Sequence, residues 1–315
     1  MRRPAPIPPE WGSAFGVAQA RDAGVGRGRL RHPRFERPFR GVRVLPGIDP
    51  PVDDPYERQA RARLAAARAW LPRMRETQFF SHETAAAIWG APLPLVAEEH
   101  PGFPVQASVF GEQPLPREPN VAAHRASALT TAVVARGSVR VASPASTWAS
   151  LGRLPLFDLV ALGDFFCREW RSGVGRRQAG RTPLATRDQL RSAIEAGRRV
   201  GNPRLRRALD LIREDSWSPR ETRVRCILIR EGLPEPELNV DVFDDDGRFL
   251  ACLDLAYPAR KAAVEYHGML HASTYPADVE RLARLRAAGW TVIEVTAPLL
   301  ATPGVLAARV RDALR

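Results

Sequence analysis

The sequence contains a single lysine, Lys261, although lysine and arginine together account for 47 of its 315 residues. Arginine therefore supplies nearly all of the positive charge. The formal net charge of +12 and the pI of about 10.9 indicate a polyanionic partner such as nucleic acid. A GC-rich genome also favours arginine over lysine, so the charge by itself does not establish that partner.

Cysteine is also scarce, and long apolar runs are missing. Cys167, Cys226 and Cys252 are far apart and form no CxxC pair, so the sequence predicts no disulfide framework and a reducing compartment. No apolar run approaches the ~20 residues that a membrane helix requires, and none follows the charged start MRRPAP. We therefore expect a cytoplasmic protein without membrane contact.

Length and pattern predict a multidomain α/β (α+β) protein. At 315 residues, with 44% hydrophobic and 26% charged residues, the chain is long enough for two or three globular domains. We expect a winged-helix-like α+β region at 1–95 and a connector of strands and helices at 96–215. A third domain, of α/β type, is expected at 216–315.

The N-terminal region carries a dense run of arginines. A predicted helix over residues 11–23 is followed by GVGRGRLRHPRFERPFRGVRV, where only Asp22 and Glu36 oppose the positive charge nearby. A helix, a glycine-containing turn, a short basic helix and a basic strand are typical of a winged helix-turn-helix, whose second helix enters the major groove. The alternative is an arginine-rich surface in contact with solvent. The predicted DNA contacts are Arg27, Arg29, Arg31 and Arg34.

The middle of the chain is predicted mainly from helix-capping residues. Asp54-Pro55 begins one helix and Ser81 begins another, while residues 91–142 contain short β-like runs such as TAVVARGSVRVA. Thr186 and Gln189 form a capping box at the start of a later helix. We predict no chemistry for this stretch.

The last hundred residues predict a mixed sheet in the order αβββαβ. An Asp-Asp-Gly turn between two apolar runs indicates a hairpin, and Gly289 ends a helix. The predicted elements are a helix at 218–230, strands at 237–244, 248–257 and 262–267, a helix at 276–288, a strand at 290–296 and a closing helix from 302.

The stretch LDLAYPARKAAVEYHGMLH places polar groups within two apolar runs. Asp254 lies in the first run and Glu265 in the second. Glu265 and His267 share one face of a strand, because side chains two residues apart point the same way. Carboxylates packed beside apolar strands are unfavourable unless a cation compensates them, and a divalent metal ion is a suitable cation.

An acid followed by Glu-x-(basic or polar) on adjacent strands resembles the PD-(D/E)XK nuclease superfamily. The run VEYHGMLH, with the later DVER and GWTV, is similar to its very-short-patch repair branch. The resemblance covers residues 216–315 and implies a restriction-endonuclease-like fold and phosphodiester hydrolysis. It also implies Mg²⁺ or Mn²⁺ held by Asp254 and Glu265. His267 replaces the usual lysine as a base or orienting group, with His271 nearby.

Other residues near this stretch have alternative interpretations. Glu221, three residues after Ser218, is a sound capping-box residue, while the resembling family has an acid on this helix that reaches the metal. On the later helix, Arg281 and Arg284 are candidate phosphate contacts or solvated surface residues. Cys252 is most simply a small buried side chain. A less favoured zinc site would use Cys252, Asp254, His267 and His271.

The N-terminal region and the helices after it are similar to type IV toxin–antitoxin antitoxins of the abortive-infection class. In that class a winged helix binds the promoter of its own operon, which implies DNA and a possible toxin protein as partners. The leading prediction is a Mg²⁺-dependent DNA endonuclease. The alternatives are a DNA-binding regulator without catalysis, or a nuclease fold kept only for binding.

Overall fold

The computed structural model describes residues 7–8, 11–47, 50–96, 102–176, 178–266 and 275–315, with side chains from 278 onward in the last range. Its contacts divide the chain into two compact units. Unit 1 comprises Met1–Leu151 with Glu195–Val200, and unit 2 comprises Gly152–Ile194 with Gly201–Arg315. The predicted mixture of helices and strands is confirmed, whereas the division into three segments stays a prediction.

Unit 1 begins with a short antiparallel strand pair. β1 (Ala14–Gly16) pairs with β2 (Val42–Val44), and α1 (Val17–Asp22) and α2 (Arg27–Leu30) lie between them in the chain. The prediction of a helix from residue 11 was wrong at its start. The pairing with β2 holds residues 14–16 extended, so the helix begins only at Val17.

The rest of unit 1 is built around a mixed sheet. The elements are α3 (Pro55–Trp70), a 3-10 turn (Leu71–Arg73), β3 (Gln78–Phe80), α4 (His82–Trp89), β4 (Val105–Phe110), β5 (Val121–Ala126), β6 (Val133–Arg136), β7 (Val139–Ala142) and α5 (Pro144–Ser150). The described strands of the sheet have the order β5-β4-β3-β7-β6, with parallel β4/β5 and β3/β7 pairs. Trp70 and Phe79 lie in the core of this unit. Asp54 caps α3 by accepting a hydrogen bond from the Tyr56 backbone N–H, as predicted.

The remaining elements contain the predicted αβββαβ order. The elements are α6 (Leu156–Cys167), α7 (Arg187–Glu195), α8 (Asn202–Leu211), α9 (Pro219–Arg230), β8 (Glu237–Phe243), β9 (Phe249–Tyr257), a 3-10 turn (Pro258–Arg260), β10 (Ala262–Tyr266), α10 (Tyr275–Ala287), β11 (Thr291–Val295), α11 (Ala297–Leu300) and α12 (Pro303–Ala313). The described strands form a sheet of order β11-β10-β9-β8, in which only β10 and β11 are parallel.

Helices cover both faces of the sheet in unit 2. Leu255 of β9 packs in a cluster with Val224 of α9, whereas the adjacent Ala256 packs with Leu285 of α10. This alternation is what a strand buried on both faces requires.

The helices within the described ranges are too short or too polar to cross a lipid bilayer.

Candidate active site

The register of two strands brings the predicted acids together. Leu255 of β9 pairs with Val264 of β10 in the antiparallel ladder. Continuing that register by one residue sets Asp254 opposite Glu265, and directly opposed residues point to the same face of the sheet. The strand pairing therefore places both carboxylates on one face of the sheet.

Glu265 is buried and paired with an arginine. Its side chain is 5% exposed, and Arg281 of α10 donates from Nη1 to its Oε1 at 2.8 Å. The Nε of Arg281 is 3.9 Å from an oxygen of Asp278. The hydrogen bond that Arg281 donates to Glu265 raises the pKa of Arg281. Arg281 thus neutralises an acid of the site, and its contact with DNA phosphate stays a prediction.

Within the described part of the chain, the charge of Asp254 is compensated less than that of Glu265. The Tyr266 backbone N–H donates to its Oδ2 at 3.2 Å. Burial raises the pKa of Asp254 to about 7, and the negative charges of Glu221 and Glu265 act in the same direction. The bond from Tyr266 and the charge of Arg281 oppose this shift only partly. Asp254 is therefore an acid that a nearby cation would readily ionise.

Glu221 is the second carboxylate, besides Glu265, whose charge acts on Asp254. It lies in the first turn of α9, where its backbone N–H donates to the Ser218 hydroxyl at 3.1 Å. Its carboxylate Oε2 accepts from the Trp217 backbone N–H at 2.9 Å and from Asn239 Nδ2 at 3.4 Å. Burial raises the pKa of Glu221. The helix-cap and active-site interpretations of Glu221 are therefore compatible.

The acids suit a hard divalent cation. Mg²⁺ takes oxygen ligands, keeps several waters and commonly uses only one or two protein carboxylates. Asp254 and Glu265 fit that requirement, because Glu265 is buried, Asp254 is half-buried and burial disfavours the charge on Asp254. Within the described ranges, no group of three or more His, Cys, Asp or Glu side chains is arranged to hold a metal ion.

Two of the predicted catalytic residues, His267 and His271, lie outside the described residues. Cys252, the third member of the zinc alternative, has its Sγ 3.4 Å from Arg176 Nη2. Burial raises the pKa of the Cys252 thiol to about 11. Zinc binds a thiolate, so this environment gives no support to a zinc site.

The predicted DNA-contacting arginines are mostly on the surface. Arg27, Arg31 and Arg34 are exposed and Arg29 is half-buried; in unit 2, Arg284 of α10 is exposed. We call residues 27–43 of unit 1 the basic segment. Its Arg37 donates to the Arg31 carbonyl oxygen, and Arg43 donates to two backbone carbonyls. Because these acceptors are neutral backbone carbonyls, the bonds do not reduce the positive charge of the segment.

Two residues of the site were not predicted from the sequence. Asn239 of β8 and the backbone N–H of Trp217 both donate to Glu221. Asn239 stands between Leu238 and Val240, so the only local signal is a polar residue in an apolar strand. Such a residue is usually a solvated one, and nothing in the pattern connects it to Glu221.

No family model matches the chain, and no solved structure matches it. Two proteins of Mycobacterium tuberculosis are 31% identical to it over 138 residues: "Uncharacterized protein MT2308" of strain CDC 1551 / Oshkosh and "Uncharacterized protein Rv2248" of strain H37Rv. The similarity covers 41% of this chain and 49% of each relative, so the chain spans about half the length of the curated relatives it matches.

Proposed function

We propose that this protein is a metal-dependent DNA endonuclease. The observation that carries the proposal is the pair of opposed carboxylates, Asp254 and Glu265, with the charge of Glu221 acting on Asp254. Acids that repel one another in a buried site favour a bound cation. The proposed ion is Mg²⁺ or Mn²⁺.

The proposed chemistry divides among the residues of the site. Asp254 and Glu265 would supply oxygen ligands to the metal ion. When bound, the ion lowers the pKa of a coordinated water and neutralises charge that develops on the phosphate. Arg281 limits the repulsion between the acids through its bond to Glu265. His267, two residues after Glu265 in the sequence, is the proposed base or orienting group.

The order of helices and strands in each unit supports a finer assignment of its fold. The αβββαβ order of α9, β8, β9, β10, α10 and β11 supports a restriction-endonuclease-like fold, with the acids on the second and third strands. The β1-α1-α2-β2 order supports a winged-helix-like region, in which the basic segment binds DNA phosphates. Arginine contacts of this kind give strong and salt-dependent binding.

Cleavage of supercoiled plasmid tests the proposal. With Mg²⁺ or Mn²⁺, the wild-type protein should produce nicked or linear DNA, and Asp254→Ala should abolish this because a metal ligand is removed. Asp246→Ala is the matched control, since Asp246 is 75% exposed in the turn between β8 and β9. Binding to the same DNA is measured in parallel by gel shift.

A second candidate is a DNA-binding regulator of the antitoxin type without catalysis. The Arg281–Glu265 ion pair favours it, because an arginine already compensates one of the acids. A regulator would bind the plasmid with either metal and leave it intact, and Asp254→Ala would not change its affinity. A toxin protein would then be its proposed second partner.

A further inference from the structure

Asn239 has an uncommon backbone conformation for a strand residue. Within β8 its φ is 50°, in the left-handed region that glycine, and less often asparagine, adopts. Leu238 and Val240 pair with Leu255 and Leu253 of β9, so Asn239 lies beside Asp254 in the register. Strained residues of this kind persist only where their surroundings hold them, and they cluster at functional sites.

The side chain of Asn239 is held on the interior of unit 2. It is 2% exposed, and its Nδ2 donates to the Asp215 carbonyl oxygen as well as to Glu221 Oε2. The Trp217 backbone N–H donates to the same oxygen of Glu221. Two donors from different parts of the chain therefore fix one oxygen of Glu221, and Glu221 Oε1 lies outside both bonds.

The backbone of Asn239 is held separately by two arginines from the segment between α6 and α7. Its carbonyl oxygen accepts from Arg171 and, at 3.3 Å, from Arg176 Nη2. Arg176 also donates to Asp241 of β8 at 2.6 Å, and its guanidinium lies 4.8 Å from the centre of the Trp217 ring. Hydrogen bonds to both the side chain and the carbonyl oxygen of Asn239 thus stabilise its left-handed conformation.

We propose that Asn239 is a positioning residue that holds the Glu221 carboxylate toward Asp254 and so makes Glu221 the third acid of the site. A purely structural role for the backbone would be met by glycine, which adopts a positive φ without steric cost. The amide of Asn239 is what glycine lacks, and its partner is an acid of the site. The effect on cleavage rests on the proposed endonuclease function, whereas the position of Glu221 does not.

Asn239→Gly tests this inference, because it keeps the backbone conformation and removes only the amide. We expect cleavage to fall about 10–100-fold, the usual effect of losing a group that orients a metal ligand or its neighbour. The melting temperature should change by no more than about 4 °C. Lys261→Gly is the matched control: Lys261 also has a positive φ, of 46°, but its Nζ donates to the Ala288 carbonyl oxygen. Its cleavage should equal that of the wild type.

Combining Asn239→Gly with Glu221→Gln shows whether Asn239 acts through Glu221. The double variant should be no slower than Glu221→Gln alone, since residues in one network are not additive. If the two losses multiply, Asn239 does not act through Glu221 and the inference is overturned.

A crystal structure of Asn239→Gly gives an outcome that does not depend on activity. The Glu221 carboxylate should leave the Trp217 N–H or occupy more than one conformation. An unchanged carboxylate would overturn the positioning role even if the wild type cleaves DNA. A displaced carboxylate in a protein that cleaves no DNA would support the positioning role and count against the endonuclease alone.

Discussion

Two aspartates of unit 2, the buried Asp164 and the half-buried Asp254, have opposite electrostatic surroundings. Asp164 of α6 accepts from Arg225 Nη2 at 3.0 Å, from Thr222 Oγ1 at 2.7 Å and from the Arg213 backbone N–H at 2.8 Å. Among the described residues, Asp254 accepts one backbone hydrogen bond and is repelled by two other acids. Burial raises the pKa of both, to about 6 for Asp164 and about 7 for Asp254.

This difference in surroundings distinguishes Asp164, a structural acid, from Asp254, a candidate functional acid. Arg225 gives Asp164 a fully buried cationic partner from the adjacent helix α9, so this charge needs nothing from solution. Asp254 carries a charge that the fold compensates only in part. Strongly perturbed acids next to like charges are typical of functional sites, because a metal ion or proton can supply what the fold does not.

Removing the partner of Asp164 should give the largest effect on stability. Arg225→Ala leaves a buried, unpaired carboxylate, and we expect the free energy of unfolding to fall by about 3–5 kcal/mol. Urea denaturation measures this loss. Arg230→Ala on the same helix is the control, because its pair with Glu231 is partly exposed and should contribute less than about 1 kcal/mol. Equal effects of the two variants would show that Asp164 does not depend on Arg225.

The basic segment carries an excess of positive charge, whereas negative charge is in excess around Asp254. Replacing arginines of this segment should change DNA affinity, with a smaller effect than the loss of stability expected for Arg225→Ala. Replacing Arg27, Arg31 and Arg34 with alanine should weaken DNA binding and reduce the slope of log affinity against log salt by about 1 for each phosphate that is no longer bound. Fluorescence anisotropy at several salt concentrations measures the slope. Arg309→Ala, on the exposed side of α12, is the control. An unchanged slope in the triple variant would remove the DNA-binding role of the segment.

Much of the C-terminal fold could be predicted because local residues determine it. Ser218 caps α9, Gly232 follows its end, and the Asp-Asp-Gly turn closes the β8–β9 hairpin. In unit 1, β1 was predicted as helix because its extended conformation depends on pairing with β2, about 28 residues away in the chain. The conformation of β1 is therefore set by its tertiary pairing with β2, which the local sequence pattern does not reveal.

The candidate site was predicted only in part for a similar reason. Asp254 and Glu265 were singled out because each lies in one of two apolar runs that flank one turn. The bonds of Asn239 to Glu221 and of Arg281 to Glu265 join residues 18 and 16 positions apart, across different elements. Neither contact has a local sequence signal, so the pairing of Arg281 with Glu265 was not predicted and Asn239 was missed.

Because the pKa of Asp254 is raised, the free energy of unfolding should decrease as the pH rises. Its protonated carboxyl contributes stability that is fully present below the unfolded pKa of about 3.9 and is lost as the pH rises through about 7. Asp254→Asn removes this loss, because the amide stays neutral and its oxygen can still accept from the Tyr266 N–H. Without metal, the variant should exceed the wild type in stability at pH 8 by about 2 kcal/mol and match it more closely at pH 5.

The most direct test of the account is the melting temperature of wild type and Asp254→Asn at pH 8, first in EDTA and then in Mn²⁺. In EDTA we expect the variant to melt at the higher temperature. In Mn²⁺ the wild type should gain stability in proportion to the logarithm of the ion concentration and overtake the variant. A variant that is less stable in EDTA, or a wild type that does not respond to Mn²⁺, would contradict the claim that Asp254 lies in a metal-dependent site.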